Sequence, residues 1–173
     1  MKKINKKSGT LFWITGLPGS GKTSIAKNIH KSIEKKYGKT IEISGDDLRK
    51  LFLFNKYDLK NRKIYAKQYS KFCKFLVDRK LNVIFSTVSL FHDVQKWNRE
   101  HISNYYEIFV RSNLKKIIKL NKKKIYKKKT NLIGINLDAQ FPKKPDLKIN
   151  NNFNYDIKLL SQKILNYIIK NYK

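Results

Sequence analysis

Cysteine occurs once in the chain, as Cys73, which excludes an internal disulfide framework and a Cys-rich zinc site and points to a reduced, cytoplasmic compartment. Histidine occurs three times, as His30, His92 and His101, without the spacing that would place two imidazoles on one metal. Proline is as scarce, and two of its three copies, Pro142 and Pro145, mark 138–145 as an irregular loop. No long apolar run exists. Residues 11–15 are too few for a signal peptide or a membrane helix, so no membrane span is expected. Acidic residues number 12 against 40 Lys plus Arg, a net charge of +28.

That excess comes from 35 lysines and only 5 arginines, beside 17 asparagines, 21 isoleucines and 3 alanines. The mixture is that of a genome poor in G and C, and codon drift accounts for the charge as well as selection for polyanionic partners does. Hydrophobic residues make up 40% and aromatics 13%, too many for a disordered chain. With 173 residues, against roughly 100 to 200 per domain, the expectation is a basic tail over 1–9 and one folded domain over 10–173.

Strand and helix patterns alternate along that domain. Residues 10–15 read as a buried parallel strand, and 21–37 as a helix with Ile25, Ile29 and Ile33 on one face and Gly38 as its stop. A strand over 40–44 leads to a short helical stretch opened by Asp46 and Asp47 and reaching Phe54. A helix over 60–80 and a strand over 83–87 follow, then a helix over 95–102, a strand over 105–110 and a basic helix or lid over 113–128. A short strand over 146–149 and an amphipathic helix over 155–172 close the chain. The order predicts an α/β fold, a parallel sheet with helices on both faces and ligands at the carboxyl ends of the strands.

Gly16-Leu17-Pro18-Gly19-Ser20-Gly21-Lys22-Thr23 is a complete P-loop pattern between a predicted strand and a predicted helix. Its glycines let backbone N–H groups wrap a phosphate, and the helix adds the positive end of its dipole. Lys22 is expected to reach the β- and γ-phosphates of ATP, and Thr23 to hold Mg²⁺ through its hydroxyl. Past the next strand, Asp46 is placed to orient or deprotonate an acceptor hydroxyl. Arg49, one turn later, is placed to neutralise an acceptor phosphate.

These residues carry a resemblance to the adenylyl-sulfate kinase family, P-loop kinases that phosphorylate the ribose 3′-hydroxyl of adenosine 5′-phosphosulfate with MgATP. Residues 12–23 are similar to that family's FWxTGLxGSGKT, and 44–49 resemble its DGDxxR, with Ser44 in place of the first Asp. Tyr57 and Arg62 stand at the phenylalanine and arginine of GFxxxDR, with Tyr65 at the asparagine that follows. Val88-Ser89-Leu90-Phe91 resembles the ISPY turn, and Arg99 a later arginine. Lys123, Ile125 and Tyr126 resemble the lid sequence KGLY. Gly134-Ile135-Asn136, Pro142 and Pro145-Asp146-Leu147 follow GID, P and PDL, with Leu132 where the family has a phenylalanine.

The resemblance implies a P-loop NTPase fold with a basic lid, Asp46 and Lys22 as catalytic residues, and residues 16–23 as the ATP loop. Arg49, Tyr57, Arg62, Val88, Ser89 and Lys123 are implied on the acceptor side, and a homodimer is the family's common assembly. Adenosine 5′-phosphosulfate is the default acceptor. A variant of the family phosphorylates cytidine diphosphoramidate and is similar to this chain in reading Ser-Leu-Phe at 89–91, so that acceptor is the alternative. A reading of another class, a basic nucleic-acid binder, finds no recognised binding motif, and the charge is spread along the whole chain.

Overall fold

A computed structural model describes residues 7–120, 131–154 and 156–171. Five parallel strands, β1 (Leu11–Thr15), β2 (Thr40–Ser44), β3 (Asn82–Thr87), β4 (Tyr105–Arg111) and β5 (Leu147–Asn150), lie in the order β2-β3-β1-β4-β5. The helices are α1 (Lys22–Tyr37), α2 (Gly45–Leu51), α3 (Leu59–Asp78), α4 (His92–His101), α5 (Leu114–Leu120) and α6 (Ile157–Asn171). The α/β architecture with helices on both faces is the one the alternating pattern predicts.

β1 shows why the sheet is closed on both faces. Its side chains alternate sides, and the first four, Leu11 to Ile14, are apolar and fully buried. Leu11 and Trp13 enter one core with Tyr69, Cys73 and Val77 of α3, Phe85 of β3 and Val94 of α4. Phe12 and Ile14 enter the other with Ile25, Ile29 and Ile33 of α1 and Leu160, Ile164 and Ile168 of α6. The lone thiol of Cys73 is buried, and burial pushes its pKa up, so it packs as an apolar group.

Strand register fixes where the chemistry gathers. Thr15 pairs with Thr87 and Ser44 with Ser86, so the carboxyl ends of β1, β2 and β3 finish at one level. The loops that leave them face each other at the edge where α/β folds bind ligands.

Two boundaries differ from the sequence expectation, each for a packing reason. The helix after β2 stops at Leu51, short of Phe54, because Leu53 turns into the left-handed region at φ 54 and Phe54 swings inward to stack on Tyr65, centroids 4.1 Å apart. α4 begins at His92, three residues before the expected start, because the Gln140 side chain accepts the His92 backbone N–H at 2.8 Å and so serves as a cap supplied from another loop. α5 is described to Leu120, and the rest of the expected lid, 121–128, lies outside the described residues. Among the described residues no helix is long and apolar enough to cross a membrane.

Candidate active site

The phosphate loop leaves β1 through Gly16, whose φ of 155° and tight place against Val110 forbid a side chain: a Cβ there would lie 2.4 Å from the Val110 carbonyl oxygen. It enters α1 through Gly21, the N-cap, at φ 91°. A Cβ on Gly21 would sit 2.9 Å from Asn151 Nδ2, and that amide donates to the Ser20 carbonyl at 3.0 Å. The loop is thus anchored from β5 as well as from its own helix. Lys22 is buried and its Nζ donates to the Leu17 carbonyl at 2.7 Å and to Ser20 Oγ at 3.4 Å, which holds the ammonium across the mouth of the loop. Thr23 Oγ1 lies 3.3 Å from Ser86 Oγ at the end of β3.

The second wall is built by α2. Ser44 caps it by a reciprocal capping box: its hydroxyl accepts the Asp47 N–H at 3.2 Å, and Asp47 Oδ2 accepts the Ser44 N–H at 2.8 Å and its hydroxyl at 2.7 Å. The Ser44 hydroxyl lowers the Asp47 pKa. Of the two adjacent carboxylates, Asp47 is therefore committed to the cap, while Asp46 faces the phosphate loop across the cleft.

Arg49 and Arg62 are held by backbone carbonyls. Arg49 Nη1 donates to Phe54 O at 2.9 Å and Lys56 O at 3.1 Å; Arg62 donates from Nε to Tyr57 O at 2.7 Å and from Nη2 to Asn131 O at 2.9 Å. The Arg49 guanidinium lies 4.3 Å from the Tyr57 ring centroid and 5.2 Å from that of Tyr65, and Arg62 lies 5.3 Å from the Tyr57 ring. Among the described residues neither arginine has a carboxylate partner within ion-pair distance. Burial and then the charge of Arg49 lower the Arg62 pKa.

Between these walls runs a cleft of about 390 Å³. Pro18, Gly19, Lys22 and Thr23 line one side, and Asp46, Arg49, Tyr57, Arg62 and Tyr69 the other. Ser86, Thr87, Val88, Ser89 and Phe91 form the floor, with Leu132 and Ile133 above. Every expected catalytic and acceptor-side residue is there except Lys123, which lies outside the described residues. Of the loop, Gly16, Leu17, Ser20 and Gly21 do not line it; Leu17 turns its side chain away into a second cavity of about 620 Å³ shared with Phe109, Leu137 and Phe141. His92 does not line the cleft either, its Nε2 being 2.9 Å from the Phe141 carbonyl.

Sequence reasoning passed over Tyr69, Ser86, Thr87 and Ile133. Tyr69 lies seven residues after Arg62 on α3, a spacing that puts both on one helical face, so the signal was present. Ser86, Thr87 and Ile133 carried none.

As a cation site the cleft offers neutral hydroxyls, that of Thr23 with Ser86 beside it, and among the described residues one carboxylate, that of Asp46. Among the described residues no three His, Cys, Asp or Glu side chains come together to hold a metal ion. That sparse set suits Mg²⁺, which keeps much of its water and takes oxygens from nucleotide phosphates, and would not suit a transition metal.

The sequence pattern described as adenylylsulphate kinase matches residues 8–150. A cytidine diphosphoramidate kinase from Campylobacter jejuni is 34% identical over 152 residues, covering 85% of this chain and 89% of that protein. An adenylyl-sulfate kinase from Pseudomonas aeruginosa is 27% identical over 176 residues, covering 97% and 89%. Among solved structures, the Mycobacterium tuberculosis APS kinase in complex with AMPPNP and APS superposes with a TM-score of 0.84 at 24% identity, over 94% of this chain and 98% of that one, a likeness of fold.

Proposed function

This chain belongs to the adenylylsulphate kinase family and is a nucleotide-directed phosphotransferase; within that family we propose that it transfers the γ-phosphoryl group of ATP to the ribose 3′-hydroxyl of cytidine diphosphoramidate or a close pyrimidine analogue. The observation that carries the transfer is the shared cleft, which sets Lys22 and Thr23 opposite Asp46 and the paired Arg49 and Arg62. Neither half would explain the other alone. A phosphate loop without an acceptor wall hydrolyses ATP, and paired arginines without a donor only bind.

In the proposed reaction the P-loop N–H groups and Lys22 receive the β- and γ-phosphates and face the charge that builds on them. Thr23 would hold Mg²⁺ through its hydroxyl, and the ion would supply charge neutralisation when bound. Arg49 and Arg62 take the acceptor's anionic chain and so fix its ribose beside Asp46. The 3′-oxygen forms a bond to the γ-phosphorus as the bond to the β-phosphate oxygen breaks, and Asp46 takes the hydroxyl proton. ADP and a 3′-phosphorylated nucleotide leave.

Two observations support a pyrimidine acceptor over adenosine 5′-phosphosulfate. The relative named for the cytidine substrate is more alike in sequence than the adenylyl-sulfate kinase from Pseudomonas aeruginosa, 34% against 27%. Leu132 lines the cleft at the position where the family pattern has a phenylalanine, so that contact is aliphatic here. Stacking on an aromatic ring contributes roughly 1–3 kcal/mol per base, and the larger adenine face loses more than cytosine when a ring is replaced by leucine. Adenosine 5′-phosphosulfate is the second reading, supported by the match over residues 8–150. The test is product analysis: with MgATP and each acceptor, phosphorus NMR is expected to show a new phosphomonoester coupled to the ribose 3′-proton. A 2′- or 5′-ester, or inorganic phosphate alone, would refute the transfer.

A further inference from the structure

One polar group of the cleft has no part in the reaction as derived. Tyr69 stands on α3 four residues after Tyr65 and is 5% exposed, with its ring 5.6 Å from that of Phe85 and 6.1 Å from that of Phe54. The ring lines the cleft, and its Cε2 lies 3.6 Å from where a Cβ on Gly45 would be. Its hydroxyl is buried without a hydrogen-bond partner among the described residues. No other buried polar atom in that condition belongs to a residue lining the cleft.

A buried hydroxyl left unpaired costs roughly 1–3 kcal/mol, and phenylalanine would fill the same space without it. The hydroxyl fits the site when a ligand supplies the missing oxygen. Its charged neighbours in the cleft say which oxygen: the two guanidinium groups of Arg49 and Arg62 outnumber the one carboxylate, Asp46. Burial raises the phenol's pKa, Arg49 opposing and Asp46 adding to the rise, so the group is a neutral O–H donor at neutral pH. An anionic oxygen drawn in by two guanidinium groups is the complement of such a donor, whereas the proposed reaction assigns Asp46 to the reacting hydroxyl.

We propose that the Tyr69 hydroxyl donates a hydrogen bond to a phosphate-type oxygen of the acceptor held by Arg49 and Arg62, making Tyr69 a specificity-determining contact. The inference rests on the reading of this cleft as the acceptor site. A donor of this kind discriminates strongly, because an analogue without that oxygen leaves the phenol buried and unpaired.

The test compares the wild-type chain with Tyr69→Phe, which removes one oxygen and keeps the ring. Melting temperatures are measured alone, with cytidine diphosphoramidate and with adenosine 5′-phosphosulfate, beside KM for ATP and acceptor. Tyr69→Phe is expected to melt at or above the wild-type temperature when alone, to lose most of the acceptor-induced shift, and to raise the acceptor KM about tenfold with the ATP KM within twofold. A variant that melts lower when alone would show that the hydroxyl already has a partner inside the protein, overturning the proposal. A variant that responds to acceptor as the wild type does would overturn it while leaving the acceptor site standing. A wild-type chain unmoved by either nucleotide would overturn the acceptor reading and the proposal together.

Discussion

Lys22 and Asp46 face each other across one cleft, and their substitutions have separable signatures. Lys22→Ala removes the only loop side chain expected to follow charge onto the departing phosphate, and turnover is expected to fall at least 100-fold in an ADP-release assay, with the fold intact by circular dichroism. Asp46→Asn keeps shape and loses the proton acceptor; kcat is expected to drop by about 100-fold with little change in the ATP KM. Normal turnover by Asp46→Asn would remove that carboxylate from the chemistry. At this scale the glycine turn between β1 and α1 was legible, because eight consecutive residues carry its pattern. The acceptor wall was legible as a set of residue types but not as a construction. That Asp47 is spent on the helix cap, or that Tyr65 lies under Arg49 and stacks on Phe54, depends on side-chain directions that spacing does not contain.

Among the elements, α2 holds two of the proposed site residues, Asp46 and Arg49, within its seven residues. Its capping box contributes about 1 kcal/mol, so Ser44→Ala is expected to lower the urea midpoint accordingly and to reduce kcat by loosening the turn that aims Asp46. The box also titrates. Asp47 has a folded pKa below its unfolded value, so its contribution is complete above about pH 4 and is lost as pH falls through the folded value. Wild type is therefore expected to be more stable than Asp47→Asn at neutral pH, and the two denaturation midpoints should converge as pH falls below the folded value. Midpoints that stay apart in acid would mean the carboxylate's charge is not what the cap uses. The strands and long helices were readable from alternation and from isoleucines four apart. The ends of α2 and the start of α4 were not, because Phe54 and Gln140 reach them from elsewhere in the chain.

Across the whole molecule, one ion cluster ties the β5 side of the sheet to the helix behind it. Glu107 is buried on β4; Arg99 of α4 donates to it at 2.6 Å and to Asp146 at 3.3 Å, and Asp146 accepts the Glu107 backbone N–H at 2.8 Å. Burial raises the Glu107 pKa even with Arg99 beside it. Removing the cation strands that carboxylate, and Arg99→Met is expected to destabilise the chain by roughly 2–3 kcal/mol. Arg99→Met with Glu107→Gln should recover part of the loss, a coupling that denaturation of the four variants would measure. The sequence marked Arg99 only as a family arginine; its structural partner lies eight residues away on a neighbouring strand.

The central claim is that the cleft accepts a pyrimidine nucleotide opposite the phosphate loop. Its most direct test is kcat/KM for acceptor-dependent ADP release with cytidine diphosphoramidate and with adenosine 5′-phosphosulfate, using Lys22→Ala as the blank. The account predicts turnover with both chemistries blocked in Lys22→Ala and a preference of at least tenfold for the cytidine acceptor. A preference for the adenylyl acceptor, or no acceptor dependence at all, would contradict it.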